Sequence, residues 1–269
     1  MRKPLIYTIL IVFVVFSIYP FLWMAVSTIR PESEIGALGL IPSSVTLDHY
    51  KEVIHKIPIF RALLNSLIVA GSVTAGVLIF GSMVGYALSR LRFRGRSFIF
   101  MVIIFTMTLP FQITLIPLYV LMVKFHWVNS YLSLIVPYML SGFSILLFRQ
   151  YFMTLPQDLI DAARIDGCSE LWILFRVLWP NSVPALITVG ILTFMASWNE
   201  VLWPLIVIRD RAMMTMPQIV TIFQIGGQAE ARLGVKLAAA MLLALPVILA
   251  YSFFQKYFIE SMATSGMKE

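Results

Sequence analysis

Charged residues are nearly absent from six long stretches of this chain, and that pattern predicts the elements of its fold. Five of the stretches contain no Asp, Glu, Lys or Arg, and one contains only Glu200. They are residues 4–29, 62–89, 97–123, 125–148, 177–208 and 237–255. A helix that crosses a bilayer needs about 20 mostly apolar residues. The pattern therefore predicts an all-α membrane protein with six transmembrane helices.

The predicted helices divide the chain into three parts. The helices themselves are expected at residues 5–28, 65–88, 98–121, 132–147, 185–208 and 238–254. Residues 1–60 would hold the first transmembrane helix and an extracytoplasmic loop. Residues 61–258 would form a core of five transmembrane helices with a cytoplasmic hairpin at 156–180, and residues 259–269 a cytoplasmic tail.

The composition fits a membrane protein better than a soluble one. Hydrophobic residues make up 60% of the 269 residues and charged residues only 12%, whereas a soluble domain carries about 25% charged residues. The net charge of +7 is not a sign of nucleic-acid binding, because much of it flanks the predicted spans, as the topology rule for membrane proteins requires. Membrane lipid, and no nucleic acid, is the expected surrounding partner.

The short loops set the expected orientation. Arg90, Arg92, Arg94 and Arg96 lie in one loop, whereas the next loop has a single Lys124. Because basic residues accumulate on the cytoplasmic side, the arginine loop, both termini and the hairpin at 156–180 are expected in the cytoplasm. The single cysteine excludes an internal disulfide.

Two spans and one loop carry features whose role the sequence leaves open. Gly81 and Gly85 have the spacing of a close helix–helix contact, and packing within the chain is the preferred interpretation. Pro110 lies in the middle of the span at 98–121, where the backbone groups it frees need a neighbour or a water-lined cavity. In the first loop, His49 and His55 are poorly spaced for a shared metal ion, so residues 48–55 are expected to form a solvated surface helix.

The charged segment at 156–180 is the exception among the apolar runs. Pro156 suits the start of a helix, Gly167 can end it, and Ser169 can cap the next. Ala163 and Gly167 would share a small face that another protein could approach closely. The second helix would bury an apolar stripe of Leu171, Leu174, Phe175 and Leu178. The alternative is an ordinary connecting loop.

These residues resemble a known motif. Asp161-Ala162-Ala163, three residues and then Gly167, with Pro180 closing, resembles the EAA loop of permease subunits in bacterial ATP-binding-cassette importers. The strings RQYFMTLPQDLIDAARIDG and SWNEVLWPLIVI are similar to the carbohydrate-uptake class of that family. The resemblance implies the six-helix type I importer (MetI-like) fold. The chain departs from the motif at Asp161, where Glu is usual, at Cys168, where Ala is common, and at Trp179, where Leu is usual.

The resemblance also implies partners and roles. The ATPase-coupling residues would be Asp161, Ala162, Ala163, Asp166 and Gly167. Two ATPase subunits would bind ATP and Mg, while this chain would have no cofactor, metal or catalytic residue of its own. A second, related permease would complete a heterodimer in a bacterial or archaeal cytoplasmic membrane. An extracytoplasmic sugar-binding protein would be contacted by a loop containing Gln224, Gly226, Gly227 and Gln228.

Candidate residues for the substrate path come from two spans. Trp198, Asn199 and Glu200 combine flat aromatic faces with hydrogen-bonding groups, which suits a polyol, and Gln112 and Thr114 are further candidates. Glu200 has a structural alternative, in which it caps a helix break before Pro204 or bonds to the paired permease. The predicted function is uptake of a di- or oligosaccharide or related glycoside. The alternatives are import of a glycerol phosphate or phosphodiester, and an ion-gradient-driven secondary transporter.

Overall fold

The chain is α-helical throughout the part that the computed structural model describes, which comprises residues 2–36, 39, 41–226 and 232–266. Within it there are fourteen α-helices and no β-strand, so the predicted fold class is confirmed. The helices are α1 (Arg2–Ser27), α2 (Asp48–Lys56), α3 (Ile59–Gly76), α4 (Ser82–Arg90), α5 (Arg96–Thr108), α6 (Phe111–Lys124), α7 (Tyr131–Ile135), α8 (Gly142–Thr154), α9 (Gln157–Ile165), α10 (Glu170–Trp172), α11 (Val183–Trp198), α12 (Leu202–Val207), α13 (Met216–Ile225) and α14 (Leu233–Gly266).

Four helical segments are long and apolar enough to cross a membrane, and a bent pair of helices would provide a fifth span. The four are Pro4–Ser27, Ile59–Arg90, Tyr131–Thr154 and Pro180–Trp198. The sixth predicted span falls on α14, whose described side chains end, apart from Ser252, at Leu249. That span and the cytoplasmic location of both termini stay predictions.

The third predicted span is not one straight helix. α5 and α6 meet at an angle of 103°, with Pro110 between them in an extended conformation (φ −61°, ψ 135°). Proline has no N–H to continue the helical ladder, and it disfavours helical angles in the residue before it. Leu109 is accordingly extended as well. The expectation of a continuous helix at 98–121 was wrong, and Pro110 is the reason.

The fifth predicted span is also divided. α11 ends at Trp198 and the short α12 begins at Leu202, so the expected continuous helix at 185–208 is interrupted at Asn199 and Glu200. This is the break that the structural interpretation of Glu200 predicted.

Helices α4 and α8 pack closely against each other. A Cβ atom added to Gly85 would lie 2.7 Å from the Cβ of Phe148 and 3.1 Å from the backbone nitrogen of Arg149. One added to Gly81 would be in ordinary contact with Ser144. The glycine pair therefore serves packing within the chain, as predicted, and it brings α4 against the helix that leads into the hairpin.

Two hydrophobic cores lie along the helices. The larger core joins α3, α8, the hairpin and α12, and its fully buried members include Val77, Phe148, Ile160 and Trp203. The smaller core joins α2, α13 and the first turns of α14, with Val53 as one of its buried residues. The hairpin is thus part of the main core and not a detached loop.

At the end of the molecule away from the hairpin, a polar cluster ties α2 to α14. His49 is 1% exposed and its Nε2 lies 2.8 Å from the carbonyl oxygen of Arg30. Glu32 accepts a hydrogen bond from the backbone N–H of Leu233 at 2.6 Å, and Arg232 donates to Glu52 at 2.5 Å. The expectation of a solvated helix was therefore wrong for His49, which packs closely against α14.

Candidate functional site

The hairpin has the local structure that its sequence predicts. Pro156 is the extended residue before α9, and Gly167 follows that helix with a φ of 79°, which a side chain would disfavour. The Ser169 hydroxyl accepts a hydrogen bond from the backbone N–H of Trp172 at 3.3 Å. The structure therefore confirms the predicted helix start after Pro156, the predicted helix end before Gly167 and the predicted cap at Ser169.

Arg90 fixes the hairpin to the end of α4. Its guanidinium donates to the carbonyl oxygen of Phe152 at 2.6 and 3.1 Å, to that of Leu155, and to Oε1 of Gln157 at 2.7 Å. The residues that enter α9 are therefore held by the arginine loop. The two segments that sequence reasoning assigned to the cytoplasm do lie at the same end of the molecule.

A second link joins the two arms of the hairpin. The Glu170 carboxylate accepts a hydrogen bond from the hydroxyl of Tyr86 and pairs with Nε of Arg164 at 3.0 Å. Burial raises the cost of ionising Glu170, but its hydrogen bonds from Arg164 and Tyr86 and the charge of Arg164 outweigh that cost, so the pKa of this carboxyl is lowered. Sequence reasoning missed Tyr86, which lies 84 residues away along the chain.

The outward surface of α9 differs from the predicted one. Ala163 is only 7% exposed and packs into the main core, so the small face that it was expected to offer with Gly167 is not accessible. The residue that projects most is Ile165, which is 87% exposed. Asp161, Ala162, Asp166 and Gly167 are exposed around it. The outward surface of α9 therefore presents one exposed apolar side chain surrounded by acidic and small residues.

The apolar stripe on the second arm is only partly as predicted. Leu174 and Leu178 are fully buried and Phe175 is half-buried, but Leu171 is 55% exposed. Residues Ile173–Leu178 form a π-helix, which has more residues per turn than an α-helix. This shift turns Ile173 inward in place of Leu171.

A cavity of about 450 Å³ lies among the spans. Its walls are largely apolar, and seven residues contribute polar groups: Tyr138, Ser141, Ser144, Thr193, Ser197, Glu200 and Thr215. The full lining comprises Val69, Val73, Val77, Leu134, Tyr138, Ser141, Phe143, Ser144, Leu192, Thr193, Ala196, Ser197, Glu200, Trp203, Pro204 and Thr215. Among these described lining residues Glu200 is the one acid and there is no lysine or arginine, so the lining carries a negative charge.

Glu200 caps a helix, as its structural interpretation predicts, and its role in a substrate path stays a prediction. Its Oε1 accepts a hydrogen bond from the backbone N–H of Trp203 at 3.1 Å, in the first turn of α12, so it caps the helix after the break. It also lines the cavity. The Trp203 indole N–H donates to the carbonyl oxygen of Ser133 at 2.8 Å, which fixes the short helix against α7.

The other candidates for the substrate path lie elsewhere. Trp198 is 1% exposed and stacks on Phe194, with ring centroids 5.8 Å apart. The Asn199 amide donates to the carbonyl oxygen of Met195 at 2.8 Å. Gln112 and Thr114 are both exposed on α6, and neither lines the cavity.

The candidates for contact with a binding protein are only partly described. Gln224 donates to the carbonyl oxygen of Lys236 at 3.3 Å, between α13 and α14, and Gly226 follows the end of α13. Gly227 and Gln228 lie outside the described residues. Across the described residues, no group of three or more His, Cys, Asp or Glu side chains could hold a metal ion.

Comparisons with known proteins converge on one family. Residues 77–264 match the family described as "Binding-protein-dependent transport system inner membrane component". The chain is 34% identical to the arabinooligosaccharides transport system permease protein AraQ of Halalkalibacterium halodurans, over 94% of this chain and 91% of that protein. It is 32% identical to the trehalose/maltose transport system permease protein MalG of Thermococcus litoralis, over 96% and 94%. A chain in the crystal structure of a bacterial transporter that imports the acidic polysaccharide alginate superposes with a TM-score of 0.82 at 25% identity, covering 96% of this chain and 98% of that one.

Proposed function

The chain belongs to the family of binding-protein-dependent transport system inner membrane components and is a permease subunit of an ATP-binding-cassette importer, and from that premise we propose that its cargo is a di- or oligosaccharide or a related glycoside. The cavity that contains Glu200 is the observation that supports this cargo. Its aliphatic walls match the C–H faces of a sugar, and its carboxylate and hydroxyls match the sugar hydroxyls. The same carboxylate, without a basic residue beside it in the described lining, disfavours a glycerol phosphate.

The outward surface of α9 is the proposed contact with the ATPase subunits. Ile165 would fill a pocket in the ATPase, and Asp161, Ala162, Asp166 and Gly167 would surround it. Ala163 would support this contact from inside the core. ATP and Mg would be bound by two ATPase subunits, and this chain would catalyse no reaction.

Other surfaces are proposed for the remaining partners. A second, related permease would cover apolar side chains that are exposed here, since Pro4–Ser27 has no buried residue in its most hydropathic window. An extracytoplasmic sugar-binding protein would contact the segment that follows α13, where Gln224 and Gly226 lie together with Gly227 and Gln228. The chain would be a multi-pass protein of a bacterial or archaeal cytoplasmic membrane.

The cargo is tested with the assembled transporter and its binding protein in proteoliposomes. We expect ATP hydrolysis to be stimulated by an oligosaccharide from a panel that also contains monosaccharides, glycerol phosphate and a phosphodiester. Stimulation by a phosphate compound alone would overturn the sugar assignment. Sugar uptake with ATP inside the vesicles and no ion gradient separates this mechanism from secondary transport.

The ATPase contact is tested by changing Ile165→Glu. Interface residues that fill a pocket cost at least about 2 kcal/mol when they are lost, so the ATPase subunits should dissociate about 30-fold more readily. The matched control is Ile41→Glu, because Ile41 is 91% exposed near the other end of the molecule. The double change Asp161→Lys with Gly167→Trp should abolish ATPase co-purification. Intact assembly and transport in both hairpin variants would rule out this surface.

A further inference from the structure

The arginine loop and the hairpin enclose a second pocket, of about 830 Å³, which the proposed transport mechanism does not use. Four arginines and two carboxylates line it, which gives a net charge of +2. The lining residues are Ser89, Arg90, Leu91, Arg92, Phe93, Arg96, Gln157, Asp161, Arg164 and Glu170. The pocket is therefore a concave basic surface at the end of the helix bundle.

Both carboxylates in this pocket pair with the same arginine. Asp161 accepts a hydrogen bond from Gln157 at 3.0 Å and lies 3.5 Å from a guanidinium nitrogen of Arg164. Glu170 is paired with the same arginine. The donors of Arg164 are thus engaged by carboxylates, and those of Arg90 by carbonyl oxygens and Gln157. Arg92 and Arg96 are therefore the arginines of this pocket with the most N–H groups left for a ligand.

Arg92 and Arg96 differ in how they are held. Arg96 donates to the carbonyl oxygens of Leu91 and Ser89, both at 3.2 Å, and this fixes its guanidinium on one wall. Arg92 is exposed and makes no hydrogen bond or ion pair with any described residue. A fixed arginine beside a free one can bind a phosphate group through several charge-assisted hydrogen bonds.

The outer surface of α5 indicates where such a phosphate would come from. Phe98, Met101, Val102 and Phe105 are 69%, 67%, 43% and 62% exposed, and their spacing places them on one side of the helix. This apolar stripe begins two residues after Arg96. Acyl chains could therefore lie along α5 while their headgroup occupies the pocket.

We propose that this pocket binds the headgroup of an anionic phospholipid, with Arg92 and Arg96 holding the phosphate and α5 contacting the acyl chains. Basic pockets between transmembrane helices on the cytoplasmic side are suited to such headgroups. The lipid would sit against both the arginine loop and the first turns of α9, so the bilayer would stabilise the position of the hairpin. This inference depends on membrane insertion and not on the identity of the transported sugar.

The test uses the assembled transporter in nanodiscs that contain phosphatidylglycerol and phosphatidylcholine, with bound lipid counted by native mass spectrometry. Arg92→Gln should reduce retained phosphatidylglycerol about fivefold, since a basic residue near the membrane surface contributes about that factor. Arg94→Gln is the matched control: Arg94 is in the same loop and exposed, but it does not line the pocket. Arg92→Lys should restore part of the retention, and unchanged melting temperatures would show that the variants are folded.

Two further arms distinguish the sources of a bound phosphate or acidic group. Inorganic phosphate at tens of millimolar should not release the lipid if its acyl chains contribute to binding, and release would assign the site to a soluble anion. Removal of the ATPase subunits from the assembled transporter should leave the phosphatidylglycerol preference unchanged, and a preference that appears only after their removal would assign the pocket to an acidic surface of those subunits. Equal retention in the Arg92 and Arg94 variants, or no preference over phosphatidylcholine, would overturn the proposal.

Discussion

Glu170 shows how one side chain holds a functional surface in place. Its carboxylate contacts both Tyr86, near the end of α4, and Arg164 on α9. The Arg164 guanidinium gains from the same pair, and its pKa is raised. Because Glu170 is 45% exposed, solvent weakens the pair, and the link is best regarded as a positioning contact.

The lowered pKa of Glu170 predicts a pH dependence of the hairpin. A carboxyl whose pKa is depressed on folding stabilises the fold above its ordinary pKa of 4.5, and this contribution is lost as the pH falls through the folded value. Amide hydrogens of α9 should therefore exchange faster, relative to the core, as the pH is lowered below about 4.5. Hydrogen exchange measured by mass spectrometry, corrected for intrinsic rates, is the measurement.

Glu170→Gln should give fast exchange already at neutral pH and remove the acid-dependent part. Asp158→Asn is the control, because Asp158 is an exposed acid on the same hairpin that makes no ion pair or side-chain hydrogen bond with any described residue. An identical acid response in the wild type and in Glu170→Gln would show that this carboxyl is not responsible.

Glu200 permits a separation of its structural and transport roles. Glu200→Gln keeps an oxygen that can accept from the Trp203 N–H, whereas Glu200→Ala removes it and should lower stability by about 1 kcal/mol. An amide caps a helix start about as well as a carboxylate, so the charge would be needed only for cargo, where it would strengthen hydrogen bonds donated by sugar hydroxyls. We expect Glu200→Gln to retain the wild-type melting temperature and to raise the half-saturating sugar concentration about tenfold. Equal transport in Glu200→Gln and the wild type would leave only the cap.

The local roles of single residues could be predicted from the sequence more accurately in the hairpin than in the membrane spans. Pro156, Gly167 and Ser169 act through backbone angles and local hydrogen bonds, which adjacent residues determine. Tyr86 and Arg90 reach the hairpin from a distant part of the chain, and apolar periodicity gives no information about such contacts. The burial of His49 was missed for the same reason, since it depends on α14.

At the scale of the element, the irregularities decide what each helix does. Pro110 turns one predicted span through 103°, and the break at Glu200 places a helix start beside the cavity. Both positions could be recognised in the sequence as sites where a helix is unfavourable, but the direction of the bend depends on packing. The π-helix at Ile173–Leu178 has no comparable signal, and it changed which residue of the apolar stripe is buried.

The contact between α4 and α8 gives a prediction about packing. Gly85→Ala would place a methyl group against Phe148 and the backbone of Arg149, and overpacking of this kind costs about 1–3 kcal/mol. Gly71→Ala introduces the same methyl group where no atom lies within 4 Å. The melting temperature of the purified complex should fall for Gly85→Ala and not for Gly71→Ala. A Gly85→Ala variant as stable as the wild type would mean that α8 shifts easily.

At the scale of the whole molecule, the polar cluster around His49 and the arginine loop with its hairpin lie at opposite ends. The polar cluster around His49 lies where helix α1 ends and the 32-residue segment Ile59–Arg90 begins. The arginine loop meets the hairpin at the opposite end of that segment. The family matches account for the overall helix order and architecture. The positive-inside rule adds a direction that helix packing alone does not contain.

Cys168 provides a test of that direction. As the single cysteine, partly exposed beside Gly167, it should react with an impermeant maleimide in inverted vesicles and remain unlabelled in intact cells. The matched reporter is Ser44→Cys in a Cys168→Ser background, because Ser44 is exposed in the loop between α1 and α2. That reporter should show the reverse pattern. Labelling of Cys168 in intact cells would invert the predicted topology.

The continuity of Ile59–Arg90 has a mechanical consequence. This segment is about 48 Å long at 1.5 Å per residue. Val69, Val73 and Val77 form part of the cavity wall near its middle, and Arg90 in its last turn donates hydrogen bonds to the residues that enter α9. Rotation of this segment at its Arg90 end would move the three valines of the cavity wall, unless the π-helical turn at Val77–Gly81 deforms instead. The stiffness of that single turn would then determine how much of a hairpin movement reaches the cavity wall.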